Sequence, residues 1–105
     1  MINWLKSFLD NRTFGVARDS RWPTARKYHL KIQDKCQACG KRKNLEVHHC
    51  TPVHKDPTQE LNPQNFITLC STCHLLFGHL GSWYSYNEFV REDSLVMRGK
   101  ILNRP

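Results

Sequence analysis

Two Cys-x-x-Cys turns and the residues between them decide the fold of this chain. The turns are Cys36-Gln-Ala-Cys39 and Cys70-Ser-Thr-Cys73, and thirty residues separate them. His48-His49 and Asn65 lie in that interval, and His74 follows the second turn directly. A structural zinc ion takes four ligands in a tetrahedron, and two such turns deliver two thiolates each. The sequence therefore predicts a structural Zn²⁺ bound by Cys36, Cys39, Cys70 and Cys73.

Cysteine usage favours a metal over disulfides. The chain has five cysteines, an odd number, and four of them fall in pairs with zinc spacing. No signal-peptide pattern opens the chain, so a reducing compartment is expected. Buried free thiols or a redox Cys-x-x-Cys are the alternatives. Cys50 is left over, and we expect a small, half-buried thiol there rather than a ligand.

Length and charge restrict the remaining possibilities. With 105 residues the chain is expected to form one small domain, residues 1–105, whose interior is too small for a large hydrophobic core. No apolar run reaches membrane-spanning length, so a soluble, intracellular protein without a membrane partner is expected. The net charge of +7 favours a polyanionic partner such as DNA or RNA.

Periodicity and breaker residues predict the elements around the cysteines. Apolar spacing predicts a short docking helix over residues 2–9. A second helix is expected from about 23 to 34, starting at Pro23 and burying Ala25, Tyr28 and Ile32. On its other side, Lys27, Lys31 and Lys35 form a row that either contacts phosphates or is simply solvated.

The central part of the chain predicts a hairpin followed by a helix. Alternation indicates a strand over Leu45–His49, and β-branched and aromatic residues indicate another over 66–69. The proline-containing segment 51–65 should be a long functional loop. A helix should start near Ser71 and end by Gly81, and a last one should start at Asn87 or Asp93, burying Val90, Met97 and Ile101.

The histidines between and directly after the cysteine turns suit phosphodiester hydrolysis. This reaction needs a Lewis acid, a base for water and cationic help for developing charge. His48 and His74 could give two nitrogens to a divalent ion, and His49 could be the general base. Neighbours on a regular strand point to opposite faces, so His48 and His49 cannot both face one cleft from an ideal strand. The strand must therefore end, twist or bulge there. We expect a carbonyl of the 51–65 loop to hold the second ring nitrogen of His49.

These motifs together resemble the HNH endonuclease family, of ββα-metal fold. The matching stretches are Leu45-Glu-Val-His-His49 through Pro52 and Asn65-Phe-Ile-Thr-Leu-Cys70-Ser-Thr-Cys73-His74. The resemblance implies an α+β fold: a small zinc-stapled, treble-clef-like domain with its motif core at about 36–79. Helical flanks would cover residues 1–35 and 80–105. Arg21-Trp22-Pro23 and Gly78-His79, followed by Trp83 and Asn87, resemble small phage-encoded members.

The same resemblance implies roles for the site residues. His48 and His74 would bind the catalytic ion, Mg²⁺, Mn²⁺ or another divalent ion, and His49 would be the base. Asn65 would tether the long loop. Some relatives have a third metal histidine where this chain has Gly78. His79 lies one step further, so we expect it to contact phosphate or support the site, or simply to cap the helix.

The activity expected is hydrolysis of DNA, by nicking or cleavage, with low sequence specificity. Candidate phosphate contacts are Lys55, Arg42, Lys43 and His79. Two alternatives stay open: a noncatalytic zinc-knuckle module that binds nucleic acid, and a nuclease subunit that depends on phage terminase or other packaging proteins. The expected location is the cytoplasm of a bacterial or phage-infected host cell.

Overall fold

The structure is a computed structural model that describes residues 18–104. Helix α1 (Trp22–Ile32) precedes strand β1 (Leu45–His49). Two 3₁₀ turns, Pro57–Gln59 and Pro63–Asn65, lead into strand β2 (Phe66–Cys70). Helix α2 (Ser71–Cys73) continues directly into a π-helical turn (His74–Gly78), and α3 (Val90–Leu102) follows. This is the expected α+β fold, with two strands and a helix carrying the motif residues. The docking helix expected over residues 2–9 lies outside the described residues.

The two strands form an antiparallel hairpin without a bulge. Its register runs from Leu45 opposite Cys70 to His49 opposite Phe66. All five residues of β2 are buried, because other elements cover both of its faces. The strand β1 ends at His49, and Cys50 N then donates to Asn65 O over 2.8 Å. Of the three possibilities at the histidine pair, the chain therefore ends its strand, and His48 and His49 keep opposite faces.

Helix α1 does not bury the face that was predicted, and none of its residues is fully buried. Tyr28 and Ile32 are 66% and 67% exposed, so the expected apolar stripe is wrong. The side of the helix that meets the sheet instead carries Trp22 and His29, whose rings pack on Phe66, and Gln33 follows at its C-terminal end. The Oε1 of Gln33 accepts from Thr68 N over 2.7 Å, and Thr68 Oγ1 donates to Gln33 O over 2.8 Å. Ring packing on Phe66 and these part-buried hydrogen bonds to β2 therefore orient α1, and the predicted apolar stripe does not.

Helix α3 begins at Val90, between the two predicted starts. Asn87 precedes it and its amide donates to Phe77 O over 2.9 Å, linking α3 to the π turn. Val90 is buried and Met97 half-buried as expected, but Ile101 is 38% exposed, so the prediction for Ile101 is wrong. The core that α3 covers is built around the cysteines: Cys36, Ala38, Ile67, Leu69, Cys70, Cys73 and Val90. Within residues 18–104, no helix has the length and apolarity required to cross a membrane.

Candidate active site

The four paired cysteines converge at one point in the core. The Sγ atoms of Cys36, Cys39, Cys70 and Cys73 all lie within 4.8 Å of one another. Cys39 Sγ is 3.7 Å from Cys70 Sγ. Tetrahedral zinc with bonds of ~2.3 Å separates its sulfurs by about 3.8 Å, so the cluster fits this ion. All five cysteines are free thiols, and Cys50 is half-buried and outside the cluster.

Backbone N–H groups prepare these sulfurs for a metal. Cys39 N donates to Cys36 Sγ over 3.4 Å, and Cys73 N donates to Cys70 Sγ over 3.5 Å. Gly40 allows the first turn to close, because its φ of +85° is costly for any residue with a Cβ. Burial raises the pKa of Cys36, but N–H donors from Cys39, Cys70 and Ala38 outweigh it and hold the pKa at about 7. The turn therefore favours the thiolate form of Cys36 that zinc requires, whereas burial raises the pKa of Cys39 and of Cys73.

A second cluster consists of three histidines. His48, His74 and His79 each place a ring nitrogen within 4.8 Å of the other two. His48 is only 2% exposed, and its Nε2 is buried with no hydrogen-bond partner among residues 18–104. Burial lowers the pKa of His48 well below 6.5, and the neighbouring His74 and His79 lower it further. A neutral, buried nitrogen without a partner, facing two other imidazoles, fits a metal ion.

His79 joins this cluster because the helix changes its winding after His74. The segment His74–Gly78 is a π turn, in which hydrogen bonds span five residues instead of four. Such a π bulge accommodates one additional residue in the helix, which brings position 79 to the face that position 78 would occupy in an α-helix. Gly78 leaves room for the rings, since a Cβ there would lie 3.0 Å from the His48 ring. In a regular α-helix, Gly78 and not His79 would occupy this face.

Glu46 is a site residue that the sequence analysis missed. Its Oε1 accepts a hydrogen bond from His74 Nδ1 over 2.5 Å. This leaves the Nε2 lone pair of His74 available, as in carboxylate–histidine–metal arrangements. In the same way, His79 Nδ1 donates to Ser85 O over 2.7 Å. Glu46 precedes His48 by two positions on β1, and this period-2 spacing was the signal that could have revealed it.

His49 faces the other side of β1 and is held in one tautomer. Its Nε2–H donates to Glu60 O over 2.8 Å, so Nδ1 carries the lone pair. Glu60 belongs to the 51–65 loop, the segment from which a carbonyl partner was expected. Burial lowers the pKa of His49 to about 4, although the Glu60 carbonyl opposes this and the charge of Arg18 assists it. Arg18 Nη1 lies 3.3 Å from His49 Nδ1, and the Trp22 ring packs on the imidazole.

Asn65 ties both ends of the loop to one side chain. Its Oδ1 accepts from Thr51 N over 2.7 Å, and its Nδ2 donates to Thr51 O over 3.0 Å and to Gln59 O over 3.2 Å. Gln59 directly precedes Glu60, whose carbonyl holds His49. The buried amide therefore fixes the loop backbone that orients His49.

Comparison with known proteins identifies the segment that carries these groups. Residues 36–79 match the family model described as HNH endonuclease. This segment is an HNH domain. No curated protein and no solved structure gives a significant match to the chain. The HNH match begins at Cys36 and ends at His79, so it spans both ligand clusters, and it indicates a metal-binding nuclease.

The cations predicted to contact phosphate lie at the surface of the HNH domain. Arg42 is paired with Asp34 over 3.1 Å and its side chain is 65% exposed. Lys43 and Lys55 are also exposed. Among residues 18–104, it is Arg18 whose guanidinium reaches a histidine of the HNH motif. Trp83 packs against His74 and His79, with ring centroids 5.1 and 4.9 Å away, so this aromatic residue covers the histidine cluster.

Proposed function

We propose that this protein is a metal-dependent HNH endonuclease that hydrolyses DNA phosphodiester bonds, by nicking or by cleavage. The observation that carries the proposal is the buried, unpartnered Nε2 of His48, placed beside His74 and His79 and one residue from His49. A purely structural role leaves no reason to bury a polar nitrogen without a partner. The basic net charge of +7 supports a polyanionic substrate.

In the proposed reaction, His49 is the general base. Its Nδ1 accepts a proton from the attacking water while the new O–P bond forms and the bond to the leaving oxygen breaks. The Glu60 carbonyl keeps the proton on Nε2, and Asn65 holds the loop that presents this carbonyl. A divalent ion on His48 and His74, with His79 as a third donor, would supply Lewis-acid stabilisation of the phosphate and of the leaving oxygen.

The ligand atoms of the histidine cluster also favour some divalent ions over others. Imidazole nitrogens suit transition metals better than Mg²⁺, which prefers oxygen ligands. We therefore rank Mn²⁺ and other transition ions above Mg²⁺ for the histidine cluster. The four cysteines would retain Zn²⁺ as a structural ion, since thiolates in a closed tetrahedral set favour it.

The setting and partners of the nuclease are part of the proposal. The free, clustered cysteines support the cytoplasm of a bacterial or phage-infected cell. The resemblance of the flanks to small phage-encoded members supports a role beside DNA-packaging proteins. Lys55, Arg42 and Lys43 are exposed and would guide DNA to the site through long-range attraction.

The test is cleavage of supercoiled plasmid with Mg²⁺, Mn²⁺ or Ni²⁺. Wild type should nick the plasmid, EDTA should abolish nicking, and His49→Ala should lose it while keeping its zinc. Tyr28→Ala is the control, because Tyr28 is 66% exposed on α1 and its loss should leave the rate unchanged. Undiminished cleavage by a zinc-loaded His49→Ala protein would remove the base assignment. Absence of cleavage by wild type would favour the noncatalytic or partner-dependent alternatives.

A further inference from the structure

Arg18 engages the side chain that the proposed mechanism uses as its base. Its Nη1 lies 3.3 Å from Nδ1 of His49. A carbonyl oxygen only accepts, so the ring proton of His49 sits on Nε2, facing Glu60 O, and Nδ1 carries the lone pair. A guanidinium has donors and no acceptor, so Arg18 donates to this lone pair. The nitrogen that must take a proton from water is therefore already bonded to a cation.

Contacts on several sides hold Arg18 in this position. The next residue, Asp19, donates its N–H to the buried Glu60 Oε2 over 2.7 Å. The guanidinium carbon lies 5.2 Å from the centre of the Trp22 ring, within cation–π range. Trp22 in turn packs on the His49 ring, with centroids 4.4 Å apart. Arg18 and Asp19 are thus docked onto the 51–65 loop and His49, and the Arg18 guanidinium is directed at Nδ1 of the proposed base.

This position coincides with the expected place of the substrate. A base accepts a proton from water at about 2.6–3.2 Å. The phosphorus that this water attacks lies about 3–3.5 Å further on. Non-bridging oxygens of that phosphate therefore come within reach of a guanidinium that now touches Nδ1. Arginine binds phosphate through paired N–H donors, which are stronger than its bond to a neutral imidazole.

We propose that Arg18 binds the phosphate under attack, and that its transfer from His49 to this phosphate releases Nδ1 for the nucleophilic water. The inference rests on the proposed nuclease function and names its cationic catalytic residue. Arg18 keeps all its protons: the proton of water goes to His49, and Arg18 contributes charge and hydrogen bonds as the O–P bond forms. Without substrate, the same contact keeps the base nitrogen covered.

Other cations of the structure are less suited to this role. Arg91 lies close enough to His48 to influence its pKa, but its guanidinium donates to the backbone carbonyls of Gln64 and Phe66. Arg42 is paired with Asp34 at an exposed position. Arg21 is paired with Asp19 through two side-chain hydrogen bonds and is exposed. Arg21 therefore serves as the matched control for Arg18.

The test compares Arg18→Ala, Arg18→Lys and Arg21→Ala on a short labelled duplex whose cleavage is mapped to single nucleotides. Removing one donor to a transition-state oxyanion costs about 10²–10³-fold in kcat. We expect a loss of this size for Arg18→Ala, partial recovery for Arg18→Lys, and a small effect for Arg21→Ala. A neutral methylphosphonate at one position should suppress cutting there by wild type. In Arg18→Ala this substitution should cost much less, because the contact is already lost.

A measurement without cleavage separates this inference from the proposed function. In the zinc-loaded protein without added divalent ion, binding of uncut duplex should shift the Nε–H NMR signal of Arg18 and leave that of Arg21 in place. Wild-type cleavage together with an unchanged rate in Arg18→Ala would overturn the role of Arg18. An Nε–H signal of Arg18 that does not shift when the duplex binds would also overturn the role of Arg18. A shifted Arg18 signal without any wild-type cleavage would instead contradict the proposed nuclease while supporting the phosphate contact.

Discussion

Glu46 Oε1 lies 2.5 Å from His74 Nδ1, a carboxylate hydrogen-bonded to an imidazole of the histidine cluster. The bond connects β1 to the π turn, 28 residues later in the chain. It determines which nitrogen of His74 faces His48, because the ring proton is held on the Glu46 side. Glu46, to which the sequence analysis gave no role, therefore sets the tautomer of a motif histidine.

Replacing Glu46 with Gln or Ala should weaken the divalent site without removing the structural zinc. Loss of such a carboxylate partner typically costs about 10–100-fold in metal affinity, and we expect this range for Mn²⁺ or Ni²⁺. Titration calorimetry on zinc-loaded protein measures it. Glu88→Gln, at an exposed site, is the control and should bind as wild type does. Equal affinities for wild type, the two Glu46 variants and Glu88→Gln would mean that Glu46 does not orient His74.

The cysteine cluster should bind zinc independently of the histidine cluster. Cys70→Ser should lose the metal and most of the folded structure, since the core of this domain is built around the cysteines. His48→Ala should retain about one zinc per chain, as expected of a closed four-cysteine site. Elemental analysis and circular dichroism provide the readouts, with Cys50→Ser as the matched cysteine control. Zinc loss from His48→Ala would show that the two clusters share an ion.

In Gly78→Ala, a higher helix propensity is opposed by steric crowding of the histidine rings. Alanine in place of glycine favours a helix by about 1 kcal/mol. The added Cβ would however lie 3.0 Å from Nδ1 and Cε1 of His48 and 3.1 Å from Cδ2 of His74. We expect crowding to dominate, so that Gly78→Ala binds Mn²⁺ more weakly although its φ is unstrained. Gly99→Ala on α3, with open space around it, is the control. Unchanged Mn²⁺ affinity in Gly78→Ala would mean that the rings tolerate displacement.

The buried His49 should make the protein less stable in acid. Its pKa is about 4 when folded, against an ordinary value of 6.5, so the unfolded chain binds the extra proton between these values. The free energy of unfolding is therefore not reduced by His49 above pH 6.5, and it decreases as the pH falls from 6.5 towards 4. From pH 7 to pH 5 the loss amounts to about 2 kcal/mol.

His49→Gln keeps a donor for the Glu60 carbonyl but has no group that titrates in this range. Urea unfolding of both proteins at pH 7 and pH 5 isolates the contribution of His49, because zinc release in acid affects both. Wild type should lose more stability than His49→Gln by roughly the stated amount. Parallel losses in the two proteins would contradict the lowered pKa.

Local patterns predicted the strands and loop well. Alternation over Leu45–His49 and the β-branched run from Phe66 gave both strands within one residue. The prolines of the 51–65 segment marked a loop that contains only two 3₁₀ turns. These features depend on neighbours in the chain, so the sequence carries them directly.

Long-range packing decided what local patterns missed. Tyr28 is exposed because α1 faces the sheet with Trp22 and His29, which pack on Phe66, and is held there by the hydrogen bonds between Gln33 and Thr68. Arg18 is 31 positions from His49, and no spacing rule connects two residues that meet only after α1 docks. The single-domain organisation over residues 1–105 and the catalytic roles stay predictions.

By itself, the sequence determined the donors and their local geometry: two Cys-x-x-Cys turns, His48-His49 at a strand end, Asn65 in front of the next strand and His74 after the last cysteine. Spacings of one to four residues are governed by backbone geometry alone, so they could be interpreted without a structure. Only the tertiary structure placed His79 in the histidine cluster, bonded Glu46 to His74 and aimed Arg18 at His49. These contacts depend on the winding of one helical turn and on how separate elements pack, and both are set by the sum of many weak interactions.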